Sequence, residues 1–261
     1  MAQFPLTSNP QGSESAAALR SVGLVKHFGA HRALGGVSLA IAPGAAAGLV
    51  GANGAGKTTF IKCLLDLCAF DAGCVEIFGI DSRQAAARGR LGYLPERFMP
   101  PHYLLGREFL GMMMSLAGLS LDLARATALA IELELDPKAF ERPVRQLSKG
   151  MTQKLGLAAC FLLERDLYIL DEPMSGLDPA GRLATKTVLQ RLQRSGRTLF
   201  FTSHVLSDVE ELCSTMAVLE RGTLRFQGTP AEMRQRYGQD NLEHAFLKCI
   251  RTHGNDTALS A

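Results

Sequence analysis

The sequence predicts an α/β fold: a parallel core sheet, an N-terminal antiparallel β subdomain, and a helical subdomain inserted between two core strands. Three observations predict it. Ala46–Val50 has the make-up of a short buried strand and runs into a glycine-rich loop, residues 51–59, with a helical pattern behind it. Leu167–Leu170 and residues 198–202 are further apolar strands, and each ends in polar residues, Asp171-Glu172 and Ser203-His204. From about residue 104 to 163 the chain is rich in Leu, Met and Ala with helical patterning.

The glycine-rich loop predicts a core of the P-loop NTPase kind. Residues 51–59 read G-A-N-G-A-G-K-T-T and match the phosphate-binding pattern G-x-x-x-x-G-K-[ST]. Gly51, Gly54 and Gly56 let the backbone turn tightly and leave room for a phosphate. The turned backbone aims its N–H groups inward as an anion nest, to which Asn53, Ala55 and Thr59 also belong. Lys57 adds a point charge for the β- and γ-phosphates, and Thr58 offers a hydroxyl to Mg²⁺. A helix over 59–67 presents its N-terminus to the same phosphates. The expected ligand is a nucleoside triphosphate with Mg²⁺.

Composition narrows the class. The chain has 261 residues, enough for a large core and one α/β domain with a subdomain. Its 28 Lys and Arg against 25 Asp and Glu give a net charge of +3, too mild to argue for a nucleic-acid partner. Six cysteines form no C-x-x-C pair, sit in mostly apolar surroundings, and read as thiols of a reducing compartment. No basic segment followed by an apolar run opens the chain, so no signal peptide is expected. The longest apolar runs, near 109–119 and 155–163, are shorter than the roughly 20 residues a bilayer span needs.

Taken in order, residues 1–18 are rich in Ser, Ala, Pro and Gln and read as a flexible tail. Strands follow at 19–26 and 33–41, the second with alternating faces, and Pro43-Gly44 turns the chain into the loop-feeding strand. Strands at 74–78 and 91–94 come next, the latter ended by Pro95. The run Met112-Met113-Met114 reads as helix core, with an adaptable partner surface as the sharper alternative. Asp178-Pro179 starts a long helix as N-cap and N1, and Gly196 ends it. A helix over 207–212, strands at 216–220 and 224–227, and a capping box at Thr229-Pro230-Ala231-Glu232 complete the domain. A short helix and a polar end occupy the remainder. The domain thus spans 19–237, with its helical subdomain at about 97–163 and a C-terminal extension over 238–261.

Strand tips supply the rest of the site. Asp171 ends an apolar strand, and in a parallel sheet that tip lies beside the phosphate loop, where a carboxylate holds Mg²⁺. Glu172 reaches another side of the site and is a candidate base for water. His204, at the tip of the next strand, is placed to donate to a terminal phosphate. Ser148 and Gly150, in Leu147-Ser148-Lys149-Gly150-Met151, open a helix; alone this is an ordinary N-cap, and it offers an anion site.

With these motifs in this order, the chain resembles the nucleotide-binding subunit of ATP-binding-cassette transporters over about residues 19–237. The loop at 51–59 matches the family's Walker A motif, and 167–172 the Walker B strand with its catalytic Glu172. Residues 147–151 occupy the signature position, Ser175-Gly176-Leu177-Asp178 the D-loop, and His204 the switch histidine. Phe28 falls at the position that stacks on adenine, against the plainer reading of a strand-end core residue. Two positions depart from the usual pattern: Glu96 stands where a glutamine is common, and the signature carries Lys149 and Met151 in place of glycine and glutamine. Y-L-P-E and L-S-K-G-M are similar to bacterial exporters of the ABC-2 type.

The resemblance implies the following. ATP and Mg²⁺ are the cofactors, with Thr58, Glu96 and Asp171 positioning the metal. Glu172 is the base, with His204 and Lys57 holding phosphate. Two ATPase chains, identical or different, face head to tail, with Ser148 and Gly150 meeting the other chain's nucleotide and Asp178 coupling the sites. An integral membrane permease docks on the helical subdomain near Glu96, at the cytoplasmic face of the inner membrane. Two rival functions stand beside this one. A soluble ATPase working on ribosomes or nucleic acid usually carries two cassettes or a long coiled-coil insertion, and the sequence has neither. A non-hydrolysing regulatory module would not need Glu172 and His204.

Overall fold

The computed structural model describes residues 17–254. Of the expected tail, residues 1–16 lie outside the described residues, whereas Ala18 is buried and donates its N–H to Ile41 O at 2.8 Å.

An antiparallel sheet in the order β2-β1-β4-β5 forms the first layer, built from β1 (Leu19–Phe28), β2 (His31–Ile41), β4 (Ala72–Ile77) and β5 (Ile80–Asp81). The hairpin strands are longer than their sequence patterns, because register shifts in the β1–β2 pairing absorb residues that break alternation, such as Gly23 at φ 58°. Between these elements run β3 (Ala46–Val50) and helix α1 (Lys57–Leu64). Helix α1 starts two positions before the expected 59 and ends three before the expected 67. Gly56, at φ 105°, serves as its N-cap, and Asp66, at φ 58°, breaks the continuation.

The short helix α2 (Ala85–Arg88) leads into β6 (Leu91–Leu94), which stops before Pro95 as its ring requires. The inserted region contains α3 (Gly106–Leu116), α4 (Leu123–Glu132) and α5 (Lys149–Leu162), with 3₁₀ turns at Pro137–Glu141 and Val144–Gln146. Met114 is buried and Met112 and Met113 pack against the same core, which favours the core reading of the methionine run.

The chain returns through β7 (Leu167–Leu170), α6 (Pro179–Arg194), β8 (Thr198–Ser203), α7 (Leu206–Leu212), β9 (Thr215–Glu220) and β10 (Thr223–Gly228). Asp178 caps α6 by accepting from Gly181 N–H at 3.0 Å, and Gly196 follows its end at φ 84°. The second sheet runs β10-β9-β3-β8-β7-β6, parallel except for β10. All of β3, β7 and β8 is buried, which is why these segments read as continuous apolar runs. One core lies between the two sheets; the other joins the opposite face of the parallel sheet to the helical insertion.

Helix α8 (Pro230–Tyr237) has the expected capping box, with Glu232 N–H on Thr229 Oγ1 at 3.1 Å and Thr229 N–H on Glu232 Oε2 at 2.7 Å. The C-terminal stretch is more ordered than its polarity suggested. Helix α9 (Leu242–Gly254) buries Leu242, Ala245 and Cys249 against the main core. The cysteine environments also differ from expectation: Cys74 is exposed and Cys68 half-buried, while the other four are buried, and none is in a disulfide. Among the described residues, no helix is long and apolar enough to cross a membrane.

Candidate active site

The switch in strand order around β3 opens a cleft at the C-terminal ends of the parallel strands, as such sheets do. It encloses about 810 Å³ and is lined by the loop after β3, the tips of β7 and β8, and the ends of the β1–β2 hairpin. Gly51, Asn53, Gly54, Ala55, Gly56, Lys57, Thr58 and Thr59 all face it. Glycine is required at Gly51 by close approach, since a Cβ there would sit 2.3 Å from Leu219 O. Lys57 is 9% exposed and donates from Nζ to Gly51 O at 2.7 Å and Ala52 O at 3.3 Å. The loop's own carbonyls therefore hold the ammonium across the cradle.

A chain of oxygens ties the loop to the strand tips. Thr58 Oγ1 donates to Asp171 Oδ2 at 3.0 Å, and Thr202 Oγ1 donates to Asp171 Oδ1 at 2.6 Å. The same Thr202 oxygen accepts from the Glu172 N–H at 2.8 Å. One buried hydroxyl thus sets the position of both carboxylate-bearing residues. Glu172 adopts φ 51°, a conformation uncommon outside glycine and a frequent mark of functional turns. His204 Nδ1 lies 2.8 Å from Glu172 Oε2; the Glu172 side chain is largely shielded and the imidazole is exposed. Tyr93 stands nearby, and burial, with the Asp171 carboxylate second, pushes its phenol up to about 12.

Asp171 tests whether the residues fit Mg²⁺. It is 1% exposed, bonded to two hydroxyls, and has no cationic partner among the described residues. A buried, uncompensated carboxylate beside hydroxyl oxygens is a hard donor set suited to that ion. No group of three His, Cys, Asp or Glu side chains among the described residues forms a cage. That pattern fits Mg²⁺, which is usually held by one or two carboxylates together with phosphates and waters.

The cleft brings together most of the expected residues. Glu96 and Phe28 line it, and Phe28 is 52% exposed with Lys26 Nζ 4.9 Å from its ring centroid, so it is not a core residue. Ser148, Gly150 and Asp178 do not line it. Ser148 is the N-cap of α5, accepting from Met151 N–H at 3.2 Å, and is exposed. Contributors not singled out from sequence include Thr202, His31 and Phe246, the last on α9. A threonine inside an apolar strand reads as β-branched filler, and only its place directly before Ser203-His204 could have marked it.

Comparison with known proteins gives a consistent picture. The family profile described as "ABC transporter" matches residues 34–175. An uncharacterized ABC transporter ATP-binding protein of Synechocystis sp. is 38% identical over 215 residues, covering 81% of this chain and 60% of that protein. The chain therefore spans about three fifths of that relative's length. The Nod factor export ATP-binding protein I of Burkholderia orbicola is 36% identical over 224 residues, 84% of this chain and 73% of that protein. A solved "ATP binding subunit of ABC transporter" superposes with TM-score 0.81 at 28% identity, covering 89% of this chain and 99% of that one. A dimeric ATP-binding cassette in a post-hydrolysis state, bound to ADP and Pi, shares the fold at TM-score 0.75 and 20% identity, over 81% and 98%.

Proposed function

The chain belongs to the ABC transporter family, and from that premise we propose that it binds and hydrolyses ATP to power export through a separate membrane permease. The observation that carries the reading is the Thr58–Asp171–Thr202–Glu172–His204 chain of contacts, which joins phosphate loop, metal carboxylate and candidate base in one cleft. The export direction draws on the Nod factor relative.

Each residue then has a task. Phe28 offers its exposed face to adenine. Lys57 and the loop N–H groups neutralise the phosphates, the largest expected contribution to catalysis. Thr58, Asp171 and Glu96 would hold Mg²⁺, which would supply charge neutralisation there. Glu172 takes a proton from the attacking water, and His204, oriented by Glu172, holds the γ-phosphate.

Ser148 and Gly150 lie outside this cleft, which supports their meeting the nucleotide of a second ATPase chain placed head to tail, with Asp178, also outside it, coupling the two sites. The dimeric cassette of the same fold supports that assembly. Closure on ATP and opening after hydrolysis is a population shift driven by γ-phosphate contacts. A permease docked on the helical subdomain near Glu96 would harness it at the cytoplasmic face of the membrane. Glu172→Gln tests the proposal: the variant should bind MgATP, lose nearly all turnover, and run as an ATP-dependent dimer on size-exclusion chromatography. Hydrolysis at the parent rate would overturn the assignment.

A further inference from the structure

Helix α5 carries two adjacent buried polar side chains that the mechanism above does not use. Gln153 is 6% exposed and Lys154 is 7% exposed. Burying such groups is costly unless they are bonded, and both are. Gln153 Nε2 donates to Pro173 O at 3.0 Å. Lys154 Nζ donates to Glu134 O at 2.7 Å, beyond the end of α4, and lies 3.7 Å from Asp178 Oδ1. That carboxylate oxygen also accepts from Gly181 N–H, so the lysine meets the N-cap of α6. Gly181 and Lys154 pack closely: a Cβ on Gly181 would fall 2.6 Å from Lys154 Cε. At the start of α5, a Cβ on Gly150 would meet Gly176 O at 3.1 Å.

Helix α5 therefore meets the segment 173–178 at Pro173 and Asp178, with Gly150 closely approaching Gly176, and that segment directly follows Glu172. The same helix begins at Ser148. We propose that Gln153 and Lys154 are positioning residues that transmit the setting of the Ser148–Gly150 turn to Glu172 of the same chain. Nucleotide of the second chain, seated on Ser148, would shift α5 as a rigid rod, and the two side chains would draw Pro173 and Asp178 with it. Each chain's base is then aligned only when its signature turn is engaged. The inference rests on the ATPase reading above.

The test uses the full-length chain with Gln153→Leu, Lys154→Met and Lys154→Arg. Nucleotide affinity, kcat, KM for ATP, the Hill coefficient and thermal midpoint are measured for each. Lys154→Met and Gln153→Leu should lower kcat by about tenfold or more, since small misplacements of a catalytic group are costly. Nucleotide affinity of the isolated chain should stay within about twofold, because the loop is untouched. The Hill coefficient should fall toward one, and Lys154→Arg should recover most of kcat. A kcat at the parent value in both Lys154→Met and Gln153→Leu overturns the inference. So does a loss that follows the thermal midpoint and nucleotide affinity down together, which marks a purely structural role. A parent chain that binds MgATP yet never turns it over refutes the ATPase reading and this inference with it; parent turnover with unaltered variants refutes the inference alone.

Discussion

Replacing Thr202 with valine removes one hydroxyl and keeps the β-branched shape, so it isolates the bond network from packing. Thr202 is fully buried at the tip of β8. Its hydroxyl donates to Asp171 Oδ1 at 2.6 Å and accepts from Glu172 N–H at 2.8 Å. The first is a bond to a charged acceptor, with a net contribution of about 1.5–3 kcal/mol. Losing the second leaves a backbone N–H without its partner in a shielded place, costing about 1–3 kcal/mol more. Thr202→Val should therefore destabilise the chain by about 2.5–6 kcal/mol, a large effect for a single methyl-for-hydroxyl exchange. Urea unfolding reads this directly as a lower midpoint with unchanged slope. Thr202→Ser restores the oxygen and should regain most of the loss. ATP turnover should fall further than stability accounts for, because the backbone of Glu172 is no longer anchored. A Thr202→Val chain within about 0.5 kcal/mol of the parent would refute the claim that this hydroxyl organises the two carboxylates.

Two further outcomes follow from the same cleft and core. Phe28→Ala should weaken ATP binding by about one to two orders of magnitude, since stacking of a base on an aromatic ring is worth roughly 1–3 kcal/mol; titration of the variant with a fluorescent ATP analogue checks this, and Phe28→Tyr should be mild. The cysteines should separate by reactivity. Burial pushes the Cys63 thiol, with Cys68 adding to it, and the Cys160 thiol up to about 12, and a thiolate is needed for attack. Maleimide at a pH of about 8 should label exposed Cys74 well ahead of these two, which should react only on unfolding. Cys160 labelling as fast as Cys74, by peptide mass spectrometry, would contradict the burial.

Much of the site was legible because its chemistry is local. Loop residues and the residues just after apolar strands announce themselves by type and order, and the cleft gathers Lys57, Thr58, Asp171, Glu172 and His204 as that order implies. What escaped was the chemistry that depends on tertiary contacts. Thr202 looks like any strand threonine until Asp171 and Glu172 are seen on either side of its hydroxyl. Gln153 and Lys154 look like the solvent face of a helix until α4 and the segment after β7 close over them. Helix α9 was read as a short helix with a polar end because its apolar residues are spaced among charged ones; its packing against α7 and α8 sets its order and brings Phe246 to the cleft.

The central claim is that Ser148 of one chain completes the site around Lys57 of another. Mixing two differently tagged variants tests it most directly. A Ser148→Arg chain keeps its own loop, and a Lys57→Ala chain keeps its own signature turn. Their heterodimer has one site with both lesions and one with neither. The measurement is nucleotide retained per ATP-dependent dimer. The account predicts close to one nucleotide per heterodimer and no closed dimer from either variant alone. Ser148→Arg homodimers that close on ATP and hydrolyse it at the parent rate would contradict it, leaving Ser148 as no more than the cap of α5.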